Sequence, residues 1–371
     1  MRVAIDCSCV AKPERTGVAR YCASLVAALP GALGPDDRVT LLYRVSRWRR
    51  RAWFERVDDP RFRTRVFHDR VWPFGSRGTD VLHGPDLRIP RFRGIPAVAT
   101  VHDLSALDVP GIADEKFRTG KTAALADVAR RAAVILCISE FTRSAFLGRF
   151  PEAEARTRIV PLGLPRRFEP QSPDAVRRVL AAREIAGPYL LFVGQVSARK
   201  NLMPLVRAFE RLRRRPDMGD LELVLAGPVQ TGGDEVVNAA KAGPDAAAIR
   251  FLGFADDDEL PALYSGASAF VFPGKGEGFG IPILEAMACG APVVTVRAGA
   301  NPETAGDAAL FADPDAPEDL AAVIATLFDD AALRGRLVER GLARARLFTW
   351  AETARLTVAA YRDAARAGAI A

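Results

Sequence analysis

The sequence predicts an α/β protein built of two doubly wound domains. Three observations lead there: short apolar runs that alternate with amphipathic helical segments, two separate series of them, and a proline-rich join between the series. The 371 residues are enough for two domains that each bury a core, and the 49% hydrophobic and 26% charged fractions suit a globular chain.

The first series opens with the strand Arg2–Asp6. A helix follows over Val18–Leu29, where Val18, Tyr21, Cys22, Leu25, Val26 and Leu29 fall on one face, and Pro30-Gly31 ends it. Strands are expected at Val39–Tyr43, Val81–His83, Ala97–Val101 and Val134–Ile138, the last leading through Ser139 as N-cap into a helix. The join spans Pro161–Pro188, with five prolines interrupted by the helix Pro173–Arg183. The second series has strands at Tyr189–Val193, Leu221–Ala226, Arg250–Gly253, Ala269–Phe272 and Val293–Val296. Helices are expected over Asn201–Arg215, Asp258–Ser265 and Pro282–Cys289. Doubly wound sheets bind ligands at the carboxyl ends of their strands, so two of them facing across a cleft suit a two-substrate transfer.

Composition excludes several classes. No apolar run is long enough to span a bilayer, and the N-terminus reads as a strand, so the expected location is the cytoplasm. Five cysteines without a CxxC pair argue against a disulfide framework or a zinc site. There is no GxGxxG after the first strand and no Gx4GK[ST], which disfavours dinucleotide and P-loop chemistry. DxD patterns at Asp256–Asp258 and Asp313–Asp315 read as a helix cap and a turn.

The net charge of +7 comes from 46 Arg and six Lys against 45 acids. Nine Arg lie between Arg44 and Arg65, interleaved with Trp48, Trp53, Phe54 and Phe62. A solvated basic face is one reading of that cluster, and peripheral contact with the inner face of an anionic membrane is another. Nucleic acid is set aside as a partner.

The strongest chemical signal is Gly274–Gly290, GKGEGFGIPILEAMACG. Four glycines after a strand leave backbone N–H groups open to a ligand, Pro282 fits the first turn of the next helix, and that helix N-terminus favours a diphosphate. Glu277 and Glu285 at such a place are hydroxyl acceptors rather than phosphate ligands.

The run EGFGIPILEAMACGAPVV resembles the E-x7-E signature of the retaining family 4 glycosyltransferases, which have the GT-B fold. Other segments agree: Thr16-Gly17-Val18-Ala19-Arg20-Tyr21, Val101-His102-Asp103-Leu104, Ile138-Ser139-Glu140-Phe141-Thr142, and Val193-Gly194 with Arg199-Lys200-Asn201-Leu202. The nearest subgroup is the mannosyltransferases of surface-polysaccharide assembly. The resemblance implies an acceptor-side domain over residues 1–167, with the helix 350–371 returning to it, and a donor-binding domain over 168–349. It implies a nucleotide-sugar donor and a glycan, lipid-linked or small-molecule acceptor, with no cofactor and no metal.

Residue roles follow from the same resemblance. Arg199 and Lys200 would hold the donor diphosphate, with Gly17 and Gly194 adding backbone contacts. Glu285 would take the ribose, and Glu277 with Gly278, Phe279, Gly280 and Ile281 the donor sugar. His102 would lie beside the transferred sugar, with Asp103 and His83 on the acceptor side. The sequence departs from the family pattern at Gln195, where some members carry Arg, and at Asn301-Pro302-Glu303-Thr304. A GT-B sugar-nucleotide epimerase and a noncatalytic membrane- or nucleic-acid-binding protein are the alternatives.

Overall fold

The computed structural model describes residues 1–12, 17–68, 78–92, 94–108 and 114–370. Two compact units divide the chain, with breaks after Gly163 and after Leu347; the stretch from Phe348 onward belongs to the first unit.

The first unit is a seven-stranded parallel sheet of β1 (Arg2–Asp6), β2 (Arg38–Arg44), β3 (Phe62–Phe67), β4 (Val81–Gly84), β5 (Ala97–Val101), β6 (Ala132–Cys137) and β7 (Thr157–Ile159), in the order β3-β2-β1-β4-β5-β6-β7. Alternate residues of its strands enter two separate cores. Val3, Ile5, Tyr43, Val98 and Leu136 lie in one, and Ala4, Leu42, Ala99, Ile135 and Cys137 in the other, so both faces are covered. Helix α1 (Gly17–Ala28) packs its Tyr21, Cys22, Leu25 and Val26 into the first core. Four helices follow β5 and β6 or close the chain: α2 (Ser105–Asp108), α3 (Glu115–Arg131), α4 (Glu140–Leu147) and the final α13 (Trp350–Ile370). Leu125, Val128 and Phe146 of α3 and α4 fill the second core. Ala354, Val358, Tyr361 and Ala364 of α13 fill the first.

The second unit is a six-stranded parallel sheet of β8 (Tyr189–Val193), β9 (Glu222–Ala226), β10 (Ile249–Gly253), β11 (Ala269–Phe272), β12 (Val293–Val296) and β13 (Ala309–Ala312), ordered β10-β9-β8-β11-β12-β13. Its helices are α5 (Pro173–Ala182), α6 (Leu202–Leu212), α7 (Gly233–Ala242), α8 (Leu260–Gly266), α9 (Ile281–Ala288), α10 (Asn301–Ala305), α11 (Pro317–Asp329) and α12 (Ala331–Ala345). In each unit the strand order reverses direction beside the first strand, at β1/β4 and β8/β11, the place where such sheets leave a crevice at their carboxyl ends.

The structure adds elements that periodicity does not announce. β3 lies inside the arginine-rich stretch, paired from Val39↔Phe62 to Arg44↔Phe67. Its Arg63 and Arg65 are exposed, and charges on an edge strand hinder pairing with another chain. The polar helix α3 buries only Leu125, Val128 and Ala129 of its 17 residues. Helix α8 starts at Leu260, later than expected. The Asp256–Asp258 turn precedes it, with the Asp256 N–H donating to the Glu259 carboxylate at 3.1 Å and no side-chain cap. Asp313 instead makes a turn, accepting the Asp315 N–H at 2.8 Å.

The polar centre of the first unit is His83, fully buried on β4. Its Nδ1 lies 2.7 Å from the Tyr361 hydroxyl and its Nε2 2.9 Å from Thr100 Oγ1, which in turn meets the Tyr21 hydroxyl at 3.1 Å. Three elements (α13, β5 and α1) are thereby tied to one imidazole. Burial, with a smaller contribution from His102, lowers the His83 pKa from 6.5 to about 3. The unfolded chain binds the extra proton between those values, so this contribution to stability is complete above pH 6.5 and falls as pH drops toward 3, by about 1.4 kcal/mol per pH unit. Equilibrium unfolding of His83→Gln should show a flatter acid limb than the parent; parallel curves would refute the role given to His83.

Candidate active site

The loop that joins β11 to α9 carries the glycine-rich motif, and a neighbouring segment braces it. The Ala300 N–H donates to the Glu277 carbonyl at 2.9 Å, Asn301 Nδ2 to the Gly274 carbonyl at 2.9 Å, and the Thr304 hydroxyl to the Phe279 carbonyl. Asn301 and Thr304 are fully buried. Gly299 makes the approach feasible: its φ is +59°, and a Cβ there would stand 2.9 Å from the Glu277 N and O and from the Lys275 O. Gly280 caps α9 in the left-handed conformation (φ +86°), and Pro282 lies in the first turn, where the missing N–H costs no helix bond.

Arg199 and Lys200 leave the carboxyl end of β8 on a single turn, Ala198–Lys200. Asn201 closes that turn at φ +52° and donates from Nδ2 to the carbonyls of Pro273 (3.3 Å) and Pro314 (2.7 Å). The basic turn is thus fastened to the glycine loop. Both cations meet one oxygen: Arg199 Nη1 is 2.6 Å and Lys200 Nζ 2.8 Å from Glu277 Oε1. Lys200 is buried and sits over the Phe272 ring at 4.9 Å, whereas the Arg199 side chain keeps 26% exposure. Two cations on one carboxylate leave a net +1 beside a helix N-terminus, which attracts an anion. Glu277 Oε2 has no hydrogen bond among the described residues and can accept a hydroxyl.

Glu285 lies one turn into α9, half-buried, where its Oε2 accepts the Tyr264 hydroxyl at 3.0 Å. Tyr264 is fully buried; burial first, then the Glu285 charge, raises its pKa, so it remains a hydrogen-bond donor. Gly278, Phe279 and Gly280 are buried, Ile281 and Gly194 half-buried, and Gln195 exposed. The Gly194 N–H donates to the Ala226 carbonyl at 2.9 Å.

In the first unit His102 follows β5, half-buried and edge-on to Tyr21 at 4.7 Å. Its Nε2 is 2.8 Å from the Pro85 carbonyl. A carbonyl only accepts, so Nε2 carries the proton and Nδ1 is the acceptor. Burial lowers the His102 pKa against the opposing pull of the Pro85 carbonyl and Asp103, which favours the neutral ring. Asp103 accepts from the Ser105 hydroxyl (2.9 Å) and Lys121 Nζ (3.0 Å), so it starts α2 as well as standing next to His102. Gly17 is exposed at the start of α1; Thr16 lies outside the described residues. His83, expected on the acceptor side, has no exposed surface and spends both ring nitrogens on the core network. Its burial argues for a structural role in place of acceptor contact.

Sequence reasoning passed over Tyr264 and gave no role to Asn201, Asn301 and Thr304. Asn301 and Thr304 stood out only as departures from a pattern. An Asn and a Thr at the first turn of a short helix behind a glycine loop are the signal that would have found them.

Two family models cover most of the chain: residues 15–167 match Glycosyltransferase Family 4 and residues 187–330 match Glycosyl transferases group 1. O-antigen chain mannosyltransferase B of Escherichia coli is 33% identical over 301 residues, which are 80% of this chain and 78% of that protein. This chain is a family 4 glycosyltransferase. The enzyme is also 31% identical over 310 residues to an MMP alpha-(1->4)-mannosyltransferase of Mycolicibacterium hassiacum, covering 78% of this chain and 72% of that one. Among solved structures, sucrose-phosphate synthase from Thermosynechococcus elongatus superposes with a TM-score of 0.76 at 21% identity over the whole of both chains. Anabaena HepE, in complex with UDP-glucose, does so with a TM-score of 0.69 at 17% identity over 96% of this chain and 98% of that one. At such identities the likeness shows the GT-B fold.

Gly299 tests the bracing of the enzyme's loop. Gly299→Ala sets a Cβ against backbone that has no side chain to move, in a left-handed conformation, and should cost roughly 1–3 kcal/mol of stability. A melting curve unchanged from the parent would show that the loop is not held in this way.

Proposed function

We propose that the enzyme transfers a hexosyl group, with retention of anomeric configuration, from a GDP- or UDP-sugar to an acceptor hydroxyl during polysaccharide, glycolipid or glycosylated-metabolite assembly. The observation that carries this reading is the pair of cations on Glu277 Oε1 at the start of the glycine loop. The mannosyltransferase names of the relatives favour mannose as the sugar.

In this reading Arg199 swings from Glu277 to the donor diphosphate. Lys200 is too buried to move far and instead holds the Glu277 carboxylate in place. Charge builds on the leaving diphosphate as the glycosidic bond stretches, and the Arg199 guanidinium with a helix N-terminus stabilises it. Glu277 Oε2 accepts a sugar hydroxyl, and Glu285, oriented by Tyr264, accepts from the ribose. In the first unit, neutral His102 leaves Nδ1 as an acceptor for a substrate hydroxyl. The departing phosphate oxygen takes the acceptor proton on the same face as the attack, which retains configuration. With Arg199 and a helix N-terminus at the phosphates, no metal is required.

A thermal-shift screen over UDP-, GDP-, dTDP- and ADP-sugars identifies the donor, since a ligand that binds the folded state raises its stability by mass action. Product analysis then separates transfer from epimerisation. Activity should survive EDTA; an absolute need for Mg²⁺ or Mn²⁺ would overturn the cation-only account.

The two glutamates should separate in steady-state kinetics. Contacts equal in ground and transition states change KM, and contacts that strengthen in the transition state change kcat. Glu285→Gln should mainly raise donor KM. Glu277→Gln should lower kcat by roughly 10²-fold, about 2.7 kcal/mol. Equal loss of donor affinity with kcat retained in both would remove Glu277 from the reacting sugar.

A further inference from the structure

We propose that the segment from Val45 to Arg56 of the first unit is a docking surface for an anionic lipid bilayer. The donor site contributes nothing to this inference. The stretch Arg44–Arg65 holds nine Arg against Glu55, Asp58 and Asp59, a net +6 in a chain whose whole excess is +7. The fold uses part of that charge. Arg44 pairs with buried Asp6 at 3.0 Å, Arg61 pairs with Asp59 at 2.6 Å and also donates to the carbonyls of Pro30, Leu33 and Gly34, and Arg63 donates to Thr40 at 2.9 Å. Arg49, Arg50, Arg51 and Arg56 are exposed.

Large apolar side chains are exposed in the same place. Val45, Trp48 and Trp53 are 49%, 53% and 45% exposed, and the tight turns of Val45–Trp53 bury no residue at all. Three such side chains within nine residues are more than scattered exposure explains. Beside them lies a concavity of about 620 Å³ whose lining includes Arg49, Arg51, Phe54, Glu55, Arg56 and Thr64.

The patch is held in place. Phe54 stacks on buried Tyr43 at 3.7 Å and 9°, and the Glu55 N–H donates to the Tyr43 hydroxyl at 2.8 Å. A fixed surface with indoles among guanidinium groups matches the headgroup level of a bilayer, where Trp rings are half-immersed and Arg meets lipid phosphates. It suits nucleic acid less well. The Arg51 guanidinium lies over Trp48, 5.2 Å from its ring, and occupies a face that a base would need. Exposed Val45 has no partner in a polyanion. Among the described residues no helix is long and apolar enough to cross a membrane, so attachment would be peripheral.

Flotation of the full chain tests this, with vesicles of equal parts phosphatidylcholine and phosphatidylglycerol compared with phosphatidylcholine alone. Binding should need the anionic lipid and weaken as salt rises. Replacing Arg49, Arg51 and Arg56 together by Gln should lower the partition coefficient roughly a hundredfold. Trp48→Ala with Trp53→Ala should weaken it too and remove the fluorescence blue shift expected on binding. All these positions lie on the surface, so melting temperatures should match the parent and report intact folding. Equal binding to neutral vesicles, no binding at low salt, or undiminished binding by the folded triple variant would each overturn the proposal. So would displacement from vesicles by a short single-stranded RNA, which would point to a nucleic-acid surface.

Discussion

The ion pairs of Glu277 with Arg199 and Lys200 set the terms for the rest of the second unit. A buried ammonium is tolerable only when it is paired, and Lys200 has the Glu277 carboxylate on one side and the Phe272 ring beneath it. Since Lys200 follows β8 and Glu277 follows β11, the pair fixes the two strand-end loops against each other at the reversal of strand order. Little freedom remains. The basic turn closes only because Asn201 adopts a left-handed conformation and reaches two carbonyls. The glycine loop closes only because Gly299, Asn301 and Thr304 lie against its backbone. Pairing leaves the two cations in different states: Lys200 is oriented and desolvated, while Arg199 keeps part of its guanidinium open to solvent.

The first unit solves a different problem with similar means. Its sheet is covered on both faces, so a polar side chain on a central strand must find partners inside. His83 does so through Tyr361 and Thr100, and that network fastens the chain's last helix to the sheet. His102, one strand over, is less buried and engages one ring nitrogen with a carbonyl. Two histidines at neighbouring strand ends thus differ in chemical capacity, because one has no ring nitrogen left over and the other has one.

Much of this was legible in the sequence, and the reasons are physical. Buried parallel strands read as apolar runs, and Ser139 behaves as the N-cap it resembles, accepting the Thr142 N–H at 3.0 Å. The glycine loop and its two glutamates stand out because loop glycines and carboxylates have few structural uses at that spacing. The edge strand β3 was hidden because its alternation is written in Phe, Arg and Thr and not in aliphatic residues, and α3 because it exposes most of its length. The mutual pairing of Arg199, Lys200 and Glu277 was out of reach too. Each residue announces a ligand when read alone, and only the register of β8 beside β11 shows that they first serve one another. Tyr264, 21 positions before Glu285, met it through the packing of α8 on α9, which no local pattern encodes.

Arginine shows most clearly why residue type alone misleads. In this chain the same guanidinium does three jobs. Arg61 is a structural clamp that satisfies loop carbonyls, Arg199 is a half-exposed cation on the Glu277 carboxylate, and Arg49 to Arg51 are solvated charges beside exposed indoles. What separates them is the partner. A carbonyl acceptor does not neutralise charge, so Arg61 also needs Asp59. A carboxylate shared with Lys200 leaves Arg199 incompletely neutralised and able to change partners. A guanidinium over an indole keeps its whole charge, as Arg51 does over Trp48. The first kind stabilises the fold, while the second and third retain charge that only a ligand or a surface can complement.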